Sequence, residues 1–375
     1  MKQTLIAIGP LPPPNYGQSL GFKSLCDDLN NKVKLHIINI QPNYTKPGGG
    51  WKFLRFFEYF LIFLNFIFLL IHTNKNCKIY ITVGQSSPSF ARDFIFIILG
   101  YFFKRKIFAH LKGGNFNSFY QKSNSFLKCL IRFIYKKVYK IIVLGPSLVN
   151  NFNFCKLVSS KIVVVENGLT NNFYNESYKV NNNNTFNILY LSNLIISKGY
   201  LDIIKALKIL NREKIKYNCV FAGNIFKSPD DPFDKKLSIL RKNFEKIINK
   251  MDDATYIGPV FDNEKIKLLK KSDIFLLPTY YVNEGQPISI IEAMAYGNAI
   301  ISTPYRSIVD IFKHKKEGLL IEPKKPELIA EALIYLYNNK KQLERMKLNS
   351  HLTFKKRFTR ERHLNNMKNA LEIDL

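Results

Sequence analysis

Apolar and polar positions alternate along this chain in two long arrays, each made of short apolar runs separated by stretches of helical periodicity. Residues 3–9 form an apolar run that ends in a Gly-Pro-rich loop, after which Leu20, Leu25 and Leu29 recur at helical spacing. The same reading predicts strands at 33–40, 78–83, 107–109, 141–144 and 162–165, with helices over 53–71, 94–103 and 125–140. An Asn-rich stretch at 181–184 interrupts the pattern. It resumes with strands at 186–191, 217–222, 255–257, 274–278 and 299–302, and helices at 200–210, 235–250, 262–271 and 326–338. Two successive βα arrays predict two doubly wound α/β domains facing a central cleft. The expected domains are 1–183 and 184–353, with residues 354–375 a further helix that crosses back to the first domain.

The most apolar part of the chain is 53–71. Arg55, Glu58 and Asn65 interrupt it, and the pieces between them fall short of the ~20 residues that a crossing needs. The pattern predicts a helix that is buried or lies in a membrane interface.

Chemistry concentrates at 274–301, where a buried strand runs into the polar loop Asn283-Glu284-Gly285 and then a helix. Pro287 suits a first helical position and Gly297-Asn298 a stop, so the helix is expected to run about three turns. Helical side chains lean toward the N-terminus, which aims Glu292 at the mouth where Glu284 and the first N–H groups of the helix converge. Such a mouth favours an anion, and two carboxylates beside it accept hydrogen bonds from hydroxyls. The expected ligand is phosphorylated and polyhydroxylated. Ser289, Glu292 and Tyr296 share one stripe, and Ile288, Ile291 and Ala295 form the face that packs on the sheet.

Other candidates stand at the ends of predicted strands. His110 precedes a Gly113-Gly114 loop, where open α/β sheets bind ligands. Lys198 lies in the loop after the second domain's first strand, Gly223 follows that domain's second strand, and Gly17 opens the first helix.

Length suits two domains. The five cysteines are odd in number and scattered, which argues for a reducing compartment and against zinc or a disulfide frame. No export signal is visible, so a cytoplasmic place is expected. The net charge is +28, and residues 1–183 carry 23 Lys/Arg against 6 Asp/Glu. That excess implies an anionic partner, nucleic acid or an acidic membrane surface. Lys128, Arg132, Lys136 and Lys140 recur every four residues, as on a helix that rests on anionic lipid. A nucleic-acid reading rests on charge alone, because no aromatic-basic module is present.

With these residues in place, the chain resembles the family 4 glycosyltransferases of GT-B fold, with two Rossmann-like domains. Glu284-Gly285-Gln286-Pro287 through Glu292-Ala293-Met294-Ala295-Tyr296-Gly297 matches the family's E-x7-E signature. Ser272–Pro278 and Glu317-Gly318-Leu319-Leu320 look like its strand patterns, Lys198-Gly199 sits where the family places a diphosphate-binding Lys, and Asn167-Gly168 matches the usual end of the N-terminal domain. The chain departs from the pattern at Ser192-Asn193, where a Gly-Arg pair is common, and in the first loop, where Gly17 stands without a paired glycine. Some relatives place the cleft histidine directly before Gly113, so His110 and Lys112 compete for that role.

The resemblance implies a retaining enzyme that moves a sugar from a nucleotide diphosphate sugar to a lipid-linked or glycan acceptor in surface polysaccharide or lipopolysaccharide-type assembly. It assigns Glu292 to the ribose hydroxyls and Glu284 to the transferred sugar. Donor contacts are expected from Gly17, Lys198, Gly223, Gly285, Gln286, Pro287, Ile288 and Ser289, with His110 or Lys112 catalytic beside Glu284. No Asp-x-Asp motif occurs, so neither metal nor cofactor is expected. The basic first half is expected to hold the enzyme peripherally on the inner face of the cell membrane, with no nucleic-acid partner. An inverting GT-B transferase, a sugar-nucleotide epimerase and a polyanion-binding protein are the alternatives.

Overall fold

The computed structural model describes residues 2–13, 17–41, 52–155, 159–169, 185–227 and 237–373. The chain divides into two units, Met1–Thr170 joined by Arg360–Leu375, and Asn171–Thr359.

The first unit holds β1 (Thr4–Gly9), β2 (Lys34–Asn39), β3 (Lys78–Val83), β4 (Lys106–Leu111), β5 (Lys140–Val143) and β6 (Ile162–Val164), all parallel, in the order β2-β1-β3-β4-β5-β6. Its helices are α1 (Gly17–Asn30), α2 (Lys52–His72), α3 (Ser87–Phe102), α4 (Phe116–Lys122) and α5 (Ser125–Lys137). Every residue of β1 and β3 is buried, because a parallel sheet is covered on both faces. One face packs against α2, α3 and α5 through Phe66, Leu70, Phe96, Ile97, Ile131 and Ile134. The other packs Leu5, Ala7, Tyr80 and Phe108 against Phe22 and Leu25 of α1 and Met367 and Leu371 of the terminal helix, Arg360–Leu371.

The second unit holds β7 (Asn187–Leu191), β8 (Asn218–Ala222), β9 (Ala254–Tyr256), β10 (Ile274–Leu277), β11 (Ala299–Ser302) and β12 (Gly318–Leu320), again parallel, in the order β12-β11-β10-β7-β8-β9. Around it lie α6 (Tyr200–Arg212), α7 (Leu237–Ile248), α8 (Asp262–Lys271), α9 (Ile288–Ala295), α10 (Ile308–Ile311), α11 (Pro326–Asn338) and α12 (Lys340–Arg357). From β7 the chain steps outward to β8 and β9, and from its neighbour β10 it steps the other way, to β11 and β12. The loops after β7 and β10 therefore diverge and leave a crevice at the carboxyl ends of these two strands, the topological switch point.

Several expectations are corrected. The helix expected over 125–140 stops at Lys137, Val138 is extended, and Lys140 opens β5, so the basic repeat loses its last member. Residues 354–375 are not one helix: 354–357 complete α12, and a new helix begins at Arg360. Leu20 points outward while Phe22 fills the core. The helix α9 is eight residues long, about two turns rather than three, and Pro287 stands outside it as the N-cap with ψ 115°. Ile288 is half-exposed and Ile290 takes its place in the core. The boundary expected at residue 183 and the Asn-rich stretch lie outside the described residues. Among the described residues, no helix is long and apolar enough to cross a membrane.

Candidate functional site

The switch point of the second sheet is built from the loops after β7 and β10. Beyond β7 the chain forms a short 3-10 turn, Ile196–Lys198, and leaves it through Gly199 with φ 82°. A Cβ on Gly199 would lie 2.4 Å from the carbonyl oxygen of Pro278, so the turn sits directly on the end of β10. The Tyr280 N–H donates to Ser197 O at 2.7 Å and locks the two loops together. Gly223, after β8, plays the matching part beside them: with φ 144°, its Cβ would lie 2.0 Å from Ser192 O. Bulkier residues at these two glycines would force the loops apart.

This packing brings the Lys198 ammonium within 3.1 Å of Glu284 Oε2. The Thr279 hydroxyl, fully buried, donates to the same oxygen at 3.1 Å, and the Lys198 ammonium also lies 5.4 Å from the centre of the Tyr281 ring. Glu284 is 6% exposed, so the carboxylate is held by one cation and one hydroxyl at the mouth of α9. Gly285, Gln286 and Pro287 are buried behind it, and the Ser307 hydroxyl donates to Gly285 O. Arg306, after β11, donates to Val282 O at 3.3 Å and adds a second guanidinium or ammonium charge to the loop's surroundings. The first N–H groups of α9 have no partner within the helix and point toward the same end of the sheet.

Glu292 stands apart from this pair. It lies one turn into α9, mostly buried, with Oε1 2.5 Å from Lys265 Nζ of α8. Ser289 and Tyr296 are half-exposed on the same stripe. The two carboxylates are thus each matched to a separate lysine, Glu284 to Lys198 and Glu292 to Lys265. Asn193, where a Gly-Arg pair was the expected pattern, is exposed, and its carbonyl accepts from the Tyr190 hydroxyl at 2.9 Å.

The remaining candidates belong to the first unit. His110 is the last residue but one of β4, at its C-terminal end as expected, but wholly buried, with Nδ1 2.9 Å from the Tyr80 hydroxyl. Burial, with the charges of Lys112 and His363 nearby, holds its pKa well below the usual histidine range. Its Nε2 has no hydrogen-bond partner among the described residues. Lys112, one residue beyond β4, is partly buried and reaches Asn167 Oδ1 at 3.4 Å. Dense packing around the ammonium lowers its pKa to about 7. Gly17 is the exposed first residue of α1. Of the two residues that compete at this loop, Lys112 is the one with open surface. Among the described residues, no three His, Cys, Asp or Glu side chains come together as metal ligands.

Thr279, Lys265, Arg306 and Ser307 were not singled out from sequence. Thr279 carried a signal, directly after the apolar strand that ends in Pro278. The others reach the site from α8 and from the loop after β11, which no local pattern links to residues 284–292.

Residues 175–352, just under half of the chain, match the family model described as Glycosyl transferases group 1. The chain is 29% identical over 107 residues to the D-rhamnosyltransferase WbpZ of Pseudomonas aeruginosa, covering 28% of each. It is 33% identical over 76 residues to the N,N'-diacetylbacillosaminyl-diphospho-undecaprenol alpha-1,3-N-acetylgalactosaminyltransferase of Campylobacter jejuni, or 20% of each. The matched segments therefore span less than a third of these two relatives. A longer match, 25% identical over 332 residues, covers 83% of this chain and 76% of an uncharacterized glycosyltransferase of Methanocaldococcus jannaschii. Among solved structures, HepE of Anabaena in complex with UDP superposes with a TM-score of 0.73 at 12% identity, over 99% of this chain and 100% of that one. The fold is that of two parallel-sheet, Rossmann-like α/β domains, shared with GT-B glycosyltransferases.

Proposed function

We propose that the chain is a retaining glycosyltransferase of family 4 type that moves a sugar from a nucleotide diphosphate sugar to a lipid-linked or glycan acceptor in surface polysaccharide assembly. The observation that carries this reading is the Lys198–Glu284 pair at the switch point, beside the N-terminus of α9. In the reaction the anomeric carbon exchanges its bond to the diphosphate for a bond to the acceptor hydroxyl, whose proton is released, and a nucleoside diphosphate leaves. Negative charge grows on the diphosphate as that bond breaks. Lys198 and the first N–H groups of α9 stabilise it without rearranging, which makes them worth more in the transition state than in the ground state. In this account Lys198 exchanges part of its contact with Glu284 for phosphate, and the freed carboxylate accepts hydrogen bonds from the transferred sugar. Glu292, anchored by Lys265, accepts from the ribose hydroxyls, and Gly223 keeps the neighbouring loop close. Of the first unit's two candidates, Lys112 is proposed over His110 as the functional one, since His110 has no open surface. No metal is assigned a part, because the charge is matched by Lys198 and Arg306.

UDP in the HepE complex and the lipid-diphosphate acceptor named for the Campylobacter relative support the choice of donor and acceptor classes. The test is nucleoside diphosphate release from a panel of nucleotide sugars with polyprenyl-diphosphate-linked and glycan acceptors. Release by the natural chain, abolished by Glu284→Gln and Glu292→Ala and unaffected by EDTA, is expected, with the anomeric configuration kept in the product by NMR. Unchanged release in Glu284→Gln refutes the site, and an inverted product refutes retention.

A further inference from the structure

A second surface, in the first unit, has no part in the site above. The helix α2 turns Phe66 and Leu70 into the core, yet its opposite side carries Phe57, Phe60, Leu61, Leu64, Phe68 and Ile71, each about half exposed or more. That spacing, i, i+3, i+4, i+7, i+11, i+14, is one continuous helical stripe. An ordinary surface helix would be polar there. The rings of Phe63 and Phe66 pack on Phe96 of α3, and Lys137 of α5 reaches the Tyr101 hydroxyl of α3 at 3.2 Å, so the three helices form one layer. The outer surface of that layer adds Ile95, Phe102, Phe126 and Phe133, with Phe102 71% exposed. A contiguous apolar surface of this extent marks an interaction site.

The charge beside it identifies the partner. Where α3 and α5 end, a cavity of about 880 Å³ is lined by Tyr101 and Phe102 together with Lys104, Lys106, Lys137, Lys140 and Lys161. Arg105 also lines it, and its guanidinium donates to the carbonyls of Leu70 and Thr73, which ties the last turn of α2 to the cavity rim. Glu372 is the one acidic residue among the described residues of the lining. The surface therefore presents aromatic and aliphatic side chains in a row and a strongly positive hollow at the row's end. An anionic bilayer matches both: apolar side chains enter the boundary between headgroups and acyl chains, and lysines take the phosphates.

We infer that the outer face of α2, with the ends of α3 and α5, docks the protein on an anionic lipid bilayer, the stripe lying in the interface and the basic cavity receiving lipid phosphate. The chain lies on the bilayer, and the anchor is α2 with the cavity rather than the basic side of α5. This goes beyond the transferase reading, and its test needs no nucleotide sugar.

Flotation of the purified full chain is measured with vesicles of phosphatidylcholine containing about one-third phosphatidylglycerol, and with phosphatidylcholine alone. The natural chain is expected to float with the anionic vesicles and to release as salt rises. Lys104→Gln/Lys137→Gln/Lys161→Gln is expected to lower partitioning about a hundredfold, roughly fivefold for each basic residue. Phe57→Ser/Leu64→Ser/Phe68→Ser is expected to abolish flotation while the melting temperature holds, because all three side chains face outward. Flotation of either variant equal to the natural chain overturns the proposal, as does failure of the natural chain to float. Light scattering that shows a dimer broken by the stripe variant also overturns it, assigning the face to a second copy of this chain.

Discussion

Gly199 and Gly258 share nearly the same backbone, φ 82° and φ 76°, but not the same surroundings. A Cβ at Gly258 meets nothing within 4 Å, whereas one at Gly199 lies 2.4 Å from Pro278 O and 2.7 Å from its ring. Alanine at either site costs about 1–2 kcal/mol for the left-handed backbone. At Gly199 the clash with the end of β10 adds roughly 1–3 kcal/mol, since backbone cannot step aside as a flexible side chain can. Calorimetry of the second unit's transition is expected to show Gly258→Ala melting a few degrees lower and Gly199→Ala lower by about twice as much or more, at ~2–4 °C per kcal/mol. The displaced 3-10 turn carries Lys198, so Gly199→Ala is also expected to lose most of the stabilisation that a nucleoside diphosphate gives the natural chain, while Gly258→Ala keeps it. Equal melting temperatures for the two variants, or full nucleotide stabilisation of Gly199→Ala, would refute the close packing of the turn on β10 as the device that places Lys198.

Other outcomes follow from the same geometry. Lys198→Met is expected to lower kcat/KM by about a hundredfold or more and to destabilise the second unit by ~3–5 kcal/mol, because Glu284 is left charged and enclosed; Lys198→Met/Glu284→Gln should recover most of that stability with no recovery of turnover, as read by urea unfolding beside a release assay. Burial brings the Lys112 pKa to about 7, so between there and its ordinary value of 10.5 the unfolded chain holds a proton that the folded one has released. Stability of the first unit is therefore expected to rise with pH above about 7, and Lys112→Met should flatten the slope in pH-dependent denaturation. Glu372 runs the opposite way from its own burial: burial raises its pKa, but hydrogen bonds from Lys106, Lys140 and Tyr139 bring it down to about 2. Its contribution is present above the unfolded value near 4.5 and is lost as pH falls toward 2, so Glu372→Gln is expected to lower stability at neutral pH and to converge with the natural chain in acid, measured by circular dichroism.

Much of the architecture was legible because burial on both faces of a parallel sheet writes itself as short apolar runs, and β1, β3 and β10 were found that way. The α8 and α11 boundaries also emerged from periodicity. Errors fell where local pattern and tertiary packing disagree. Lys140 keeps the four-residue spacing of α5, yet its backbone is taken by the β4–β5 ladder, and its ammonium finds Glu372 at 2.9 Å. Ile288 and Ile290 are indistinguishable by hydropathy, and only the cap geometry of Pro287 decides which one faces the sheet. At the candidate site, Glu284, Glu292 and Lys198 were visible as charged residues at strand ends or in a short motif. That Lys265 holds Glu292, while Lys198 holds Glu284, depends on the strand order and was out of reach of any linear spacing. The same holds for His110, whose neighbour Tyr80 comes from β3, thirty residues earlier.

The terminal helix sets an order of events in synthesis. Met367, Ala370 and Leu371 complete the core formed with Leu5, Ala7, Phe22 and Tyr80, Arg360 clasps Asp28, and Glu372 joins Lys106 to Lys140. A ribosome has made all of the second unit before it makes these residues. The second unit can close while the chain is still being extended, whereas one face of the first sheet has only α1 to cover it until residues 360–373 emerge. During that interval the nascent protein presents apolar side chains of that sheet to the cell, and its demand for a chaperone is set by residues made after the second unit rather than by the strands themselves.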